Sequence, residues 1–163
     1  MGTLPKRGRV ERDVDAPAAA VWKIVADVTR TGEWSGENQG NDWVDGATSA
    51  AVGARFRGRN QQGRSKWTRV CEVTALDDPR EFVWRTIRSP LHPDVTEWHI
   101  ELTPLAGDRT HVVLHYEVLE ITWIMDRVYY VVAPAHRDRL EALAQDIERL
   151  GALAHREHVA ALS

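Results

Sequence analysis

The strongest constraint on the fold of this chain is its last hairpin-like stretch. Val95 to Thr103 and Thr110 to Glu120 alternate at period two around Ala106-Gly107-Asp108. Side chains on a strand point alternately to opposite faces. Trp98, Ile100 and Leu102 therefore share one face of the first strand, and Val112, Leu114 and Tyr116 one face of the second. Pairing these sets places His99 across from His115, and Glu97 across from Glu117, on the other side. One face is apolar and aromatic, the other polar, so the sheet is half-buried and needs cover on one side only.

The earlier segments extend that sheet. Gly8 to Val14 reads as an edge strand. Asn41 to Val44 is a short strand closed by Asp45-Gly46, and Arg55 to Asn60 with Arg64 to Thr74 form a hairpin around Gln61-Gln62-Gly63. Asp77-Asp78-Pro79 is a turn before a strand at Glu81 to Arg88, which the two prolines of Ser89 to Pro93 end. Between the first two strands, Val21, Ile24, Val25 and Val28 recur at helical spacing after Asp15-Ala-Pro17, with Asp15 or Ala16 as the cap and Pro17 in the first turn. Thr29 to Glu37 reads as a short helical turn and loop.

The period then changes to that of a helix. Leu140, Leu143, Ala144, Ile147, Leu150 and Ala154 form one stripe on a helix expected over about 134–159. Gly151 lies within it, at a cost of roughly 1 kcal/mol relative to Ala, and either permits close packing or opens room beneath the helix. This is the one element long enough to cover the sheet. The expected class is α+β: a curved antiparallel sheet of about seven strands wrapped on a long C-terminal helix, with two short helices after the first strand.

With 163 residues, the chain is expected to form one domain over 1–163. A domain of this size buries roughly two thirds of its unfolded surface, enough for a core without disulfides. The net charge of −3, with Lys and Arg spread along the chain, gives no basic stripe and speaks against a nucleic-acid partner. Cys71 is the sole cysteine, which excludes an internal disulfide and a thiolate metal site. No apolar run suggests a signal peptide or membrane insertion, and the expected location is cytoplasmic.

Ala16-Pro-Ala-Ala-Ala-Val-Trp22, Val25-Ala-Asp-Val28, Glu33-Trp-Ser35, Asp42-Trp-Val-Asp-Gly46, Val52-Gly-Ala-Arg-Phe56, Glu72-Val-Thr74 with Asp78-Pro79, and the helix from His136-Arg-Asp-Arg139 onward carry a family likeness. The chain resembles the SRPBCC superfamily, with its Bet v 1-like, START-like helix-grip fold, and in particular bacterial polyketide cyclase/dehydrase-like proteins. The resemblance implies a cavity between sheet and long helix that takes a small hydrophobic or amphipathic molecule, lipid- or polyketide-like. No cofactor is implied. The matching motifs are packing and turn motifs, so binding is the first reading. The alternatives are a cyclase, aromatase or dehydratase, or an interaction or stress protein with a closed cavity.

The residues expected to line such a cavity are Trp34, Phe56, Phe82, Trp84, Trp98, Ile100, Leu114, Tyr116, Leu140 and Leu143. A filled core of the same residues is the competing outcome. Seven tryptophans, costly to bury because each indole N–H needs a partner, lean towards an aromatic-lined space. Arg69 and Tyr116 are the first candidates for polarising an enolate-like oxygen, followed by Glu72 and Arg85. Arg69 is in phase with Trp67, Cys71 and Val73, but both faces of that strand carry apolar residues and the outward phase is preferred. Arg55, Arg57 and Arg59 read as a solvated outer face, and His136, His155 and His158 as surface groups.

His99, His115, Glu97 and Glu117 have the chemistry of zinc ligands, but ligand type without a closed geometry is weak evidence, and no metal is expected. No nucleophile elbow or phosphate loop is present. Ile121 to Val132 is apolar on nearly all sides and admits three readings: a flap at the cavity mouth, a homodimer contact, or a buried connector. The flap is the working hypothesis.

Overall fold

The computed structural model describes residues 2–163. Seven antiparallel strands form one sheet: β1 (Arg7–Val14), β2 (Asn38–Val44), β3 (Arg55–Gln62), β4 (Ser65–Asp77), β5 (Glu81–Thr86), β6 (Val95–Leu105) and β7 (Arg109–Glu120). Their order is β1-β7-β6-β5-β4-β3-β2, so β1 and β2 are the edges. The hairpin register is the expected one: Trp98 faces Tyr116, Ile100 faces Leu114, Leu102 faces Val112, and His99 faces His115.

Three helices complete the fold: α1 (Ala18–Val25), α2 (Trp123–Val132) and α3 (Leu140–Ala161). α1 is capped by Pro17 in extended conformation with no side-chain cap, rather than by Asp15 or Ala16. It ends at Val25, three residues before Val28, because Asp27 takes an extended backbone and caps a 3-10 helix at Val28–Glu33 through the Thr29 amide. The long helix likewise starts later than expected. Pro134–Arg137 is a separate 3-10 turn, and Asp138 is extended between the two.

The inner face of the sheet and the stripe of α3 form the core. Val10, Val14, Phe56, Val73, Phe82, Ile100, Val112 and Leu114 are buried together with Leu143, Ala144, Ile147, Leu150 and Ala154. α3 lies against β1, β7 and α1. Gly151 resolves to close packing: a Cβ there would sit 2.5 Å from Val14 Cγ1. α1 also meets β6, and its Trp22 lies edge-on to Phe82 of β5 at 6.2 Å. No helix among the described residues is long and apolar enough to cross a membrane.

Ile121 to Val132 is not a buried connector. Within α2, Asp126 is the buried residue, while Trp123 is 70% exposed and Ile124, Val131 and Val132 are also open to solvent. Asp126 accepts from the Leu4 amide at 3.0 Å and from Lys6 Nζ at 2.5 Å, which fastens the helix to the chain just before β1.

Candidate functional site

The inner face changes character along its length. At one end it is a packed apolar core. Towards the start of β4, the end of β7 and the first turn of α3 it becomes aromatic and then charged. Trp84, Trp98 and Tyr116 stand side by side on β5, β6 and β7. The Trp84 and Trp98 rings are near-parallel with centroids 6.2 Å apart, and Trp98 and Tyr116 are 5.0 Å apart. Arg139, just before α3, lays its guanidinium over both of the latter, 4.9 Å from the Trp98 centroid and 5.2 Å from Tyr116. A cation over aromatic faces is held by their quadrupoles, more firmly where water is excluded.

Arg139 also meets Glu37, its Nη2 lying 3.3 Å from Oε2. The other Glu37 oxygen is 2.5 Å from His136 Nε2. The His136 ring lies edge-on to Trp67 of β4 at 6.0 Å. Burial pushes the Glu37 carboxyl up, but the His136 hydrogen bond and the charges of Arg139 and His136 outweigh it, and the group titrates below the usual carboxylate range. The loop carrying Glu37 is itself pinned to α3: Asp146 Oδ1 accepts from the Gly36 amide at 2.9 Å, and Arg149 Nε donates to the Trp34 carbonyl at 3.0 Å. Asp146 is raised by its burial, against the opposing pull of the Gly36 amide and Arg149.

A second polar group closes the same end. Arg69 of β4 is opposite Gly58, in the phase of Phe56 and Cys71, and so points inward. Its Nη1 reaches both Asp94 oxygens at 3.0 and 3.2 Å, and its Nη2 donates to the Asp94 carbonyl at 3.1 Å. Tyr129 of α2 donates its hydroxyl to Asp94 Oδ1 at 3.1 Å. Burial and the adjacent Asp94 charge both push the Tyr129 phenol up, so it stays a donor. Among the described residues, Trp34 Nε1, Arg69 Nε and Arg139 Nε are buried donors with no hydrogen-bond partner. Such groups are uncommon in folded proteins, because each loses its hydration without return.

The model of the family described as "Polyketide cyclase / dehydrase and lipid transport" matches residues 6–148. The chain belongs to that family. No protein of curated function matches its sequence. Among solved structures, the Zhui aromatase/cyclase from Streptomyces sp. R1128 is similar with a TM-score of 0.64 at 16% identity, covering 92% of this chain and 93% of that one. A protein from Thermus thermophilus reaches 0.66 at 19% identity over 96% and 99%. Major latex-like protein 151 from Panax ginseng reaches 0.61 at 12% over 91% and 97%. At these identities the likeness is one of fold, and it places this family member among helix-grip proteins of bacteria and plants.

Of the residues singled out in the sequence, Trp34, Phe56, Phe82, Ile100, Leu114, Tyr116 and Leu143 are buried, and Trp84 and Trp98 are partly buried against them. Leu140, in the first turn of α3, is 42% exposed. Arg69 corrects the preferred outward phase. The register decides it, since β3 places Phe56 and Gly58 directly opposite Cys71 and Arg69. Glu72 and Arg85 face the other way: Glu72 pairs with Arg55 at 3.1 Å and Arg85 with Glu97 at 2.7 Å on the outer side. His136 is not a surface group: it is enclosed between Glu37 and Trp67. Sequence reasoning misses Glu37, Asp94, Tyr129 and Arg139. The closest signal is the helix break at Pro134 to Arg139, which turns His136 and Arg139 towards Glu37.

The structure has two open depressions. One, of about 1240 Å³, runs over β3 and β4 to the β5–β6 loop, bordered by Arg55, Arg59, Lys66 and His92, and it reaches Trp67 and Arg69 at the edge of this region. The other, of about 530 Å³, lies between α1 and the β2–β3 loop.

Proposed function

We propose that the protein binds a small hydrophobic or amphipathic molecule, lipid- or polyketide-like, between the inner face of the sheet and the start of α3. The observation that carries this reading is Arg139. Its guanidinium lies across Trp98 and Tyr116 while its Nε is buried without a partner. A flat apolar ligand bearing an oxygen acceptor meets both needs, one through the aromatic wall and one through the unpaired donor. In this reading the packed core at Phe82 and Ile100 limits how deep a ligand reaches, and Tyr129 and Asp94 stand at the end where it enters. α2 then serves as the flap. Membership of a family described by both cyclisation and lipid transport agrees with a ligand of this chemistry.

A second reading, a cyclase or dehydratase, is favoured by one further feature. Glu37 joins His136 Nε2 and Arg139, and with Nε2–H donated to Glu37 a neutral His136 imidazole carries its lone pair on Nδ1. That pairing suits removal of a proton from a methylene between two carbonyls, with the enolate charge facing Arg139. Arg69 and Tyr116 remain candidates here, Arg69 as a positioning residue because both its Nη atoms are occupied by Asp94.

Binding is tested by the melting temperature of the protein against fatty acids, aromatic polyketides and steroids. A ligand that binds only the folded state raises it by mass action. A saturable rise for one class, lost in Arg139→Ala, supports the reading. No rise for any class at concentrations near solubility refutes it in favour of a closed core.

A further inference from the structure

On the outer face of the sheet, His99 of β6 and His115 of β7 are directly paired, with rings 14° from parallel and centroids 4.3 Å apart. Glu101, two residues along β6, lies on the same face, and its oxygen is 3.6 Å from His115 Nε2. One nitrogen from each imidazole and one Glu101 oxygen all lie within 4.8 Å of one another, with all three residues half-buried. We propose that these three side chains hold a divalent transition-metal ion of the zinc class.

The surrounding charges support a cation here. His99 has a carboxylate at each ring nitrogen: Glu81 Oε1 at 3.3 Å from Nδ1 and Glu97 Oε1 at 2.9 Å from Nε2. A neutral imidazole has one N–H, so one of these two contacts sets a lone pair against a carboxylate unless a proton or a metal ion intervenes. Arg85 neutralises Glu97, and Arg7 neutralises Glu117 at 2.7 Å. Among the described residues, Glu81 and Glu101 have ion-pair partners only in His99 and His115. The cluster is thus rich in negative charge and imidazole, a donor set that suits zinc, copper or cobalt rather than magnesium or calcium.

The donor atoms are near one another, but the two imidazoles are stacked and aim their lone pairs along parallel planes, so an ion has to draw the rings out of the stack. Bonds of 2.0–2.1 Å in a tetrahedron set donor atoms about 3.4 Å apart. Binding therefore requires both rings to turn about χ2 towards Glu101 until the three donors reach that separation, with water in the fourth position. Glu81, accepting from His99 Nδ1–H, then acts as the carboxylate that orients a ligating histidine. The ion would clip β6 to β7 directly behind Trp98, Ile100, Leu114 and Tyr116, the residues that face inward from the same strands.

The test is titration of the metal-free full chain with Zn²⁺ by calorimetry and with Co²⁺ by visible absorption. One ion per chain is expected, with the intense visible bands of four-coordinate cobalt. His115→Ala and Glu101→Gln should each weaken it by at least about tenfold. Glu81→Gln, which touches only His99, should weaken it by about tenfold. His111→Ala and His158→Ala should leave it unchanged, and circular dichroism should show every variant folded. Binding that is unchanged in the double variant His99→Ala, His115→Ala, or the weak spectrum of hydrated cobalt throughout, overturns the proposal.

Discussion

Arg69 and Asp94 form a two-point ion pair at 3.0 and 3.2 Å, with side-chain exposures of 12% and 10%. Breaking a largely buried pair from one side leaves a charge without water or partner. Asp94→Ala is therefore expected to destabilise the fold by about 3 kcal/mol, read from urea unfolding. The double variant Arg69→Met, Asp94→Ala should recover part of that loss. A single variant as stable as the parent would mean that the pair is solvated in solution.

Gly151 offers a case where packing and helix propensity oppose each other. Alanine would gain about 1 kcal/mol as a helix former. Its Cβ, however, would lie 2.5 Å from Val14 Cγ1 and 2.7 Å from Val14 Cβ. Gly151→Ala should come out destabilising by about 1–3 kcal/mol in chemical denaturation. Adding Val14→Ala should make the two changes non-additive in the favourable direction.

The depressed Glu37 carboxyl makes a sign-definite prediction about pH. Its stabilising contribution is complete above the ordinary glutamate range, near pH 4.3, and disappears as pH falls through the lower folded value. Stability between about pH 5 and 3 should therefore fall less steeply in Glu37→Gln than in the parent. Asp146, whose carboxyl is raised, acts in the opposite sense, and Asp146→Asn should steepen the same limb. Equal slopes in parent and Glu37→Gln would show that Glu37 is not paired in solution.

For the proposed ligand, the aromatic wall and its cation should act together. Trp98→Ala and Arg139→Ala are each expected to weaken the ligand that raises the melting temperature by about tenfold, the scale of a desolvated cation–π contact. Trp98→Phe should retain most of the affinity. Arg139→Lys should not, because a point charge cannot lie flat across two rings and still present Nε.

The hold on α2 rests on Asp126, which joins the Leu4 amide and Lys6 to the helix. Asp126→Ala should raise amide hydrogen exchange across α2 while leaving exchange in β5, β6 and β7 unchanged. An increase spread evenly over the whole chain would instead show global destabilisation.

The order of the strands, the place of α1 and α3, the register of β6 on β7 and the stripe of α3 are legible in the sequence because they depend on local periodicity, whereas the helix α2 is not, its apolar residues showing no single face. Once Trp98, Ile100 and Leu102 alternate with polar residues, one register alone puts them opposite Val112, Leu114 and Tyr116 on a single face. The site is less legible. Arg69 sits on a strand with apolar residues on both faces, and its direction follows from its long-range pairing with β3. Glu37 and His136 are 99 residues apart, and Asp94 and Tyr129 are 35 apart. No period links such pairs, and each side chain looks like surface when its neighbours in sequence are its only context. Apolar spacing along the chain settles which faces must be buried, because alternate strand positions and every third or fourth helix position share a face. Tertiary structure alone decided which charges are buried with them, because a buried charge is tolerated only where a partner from elsewhere in the chain meets it.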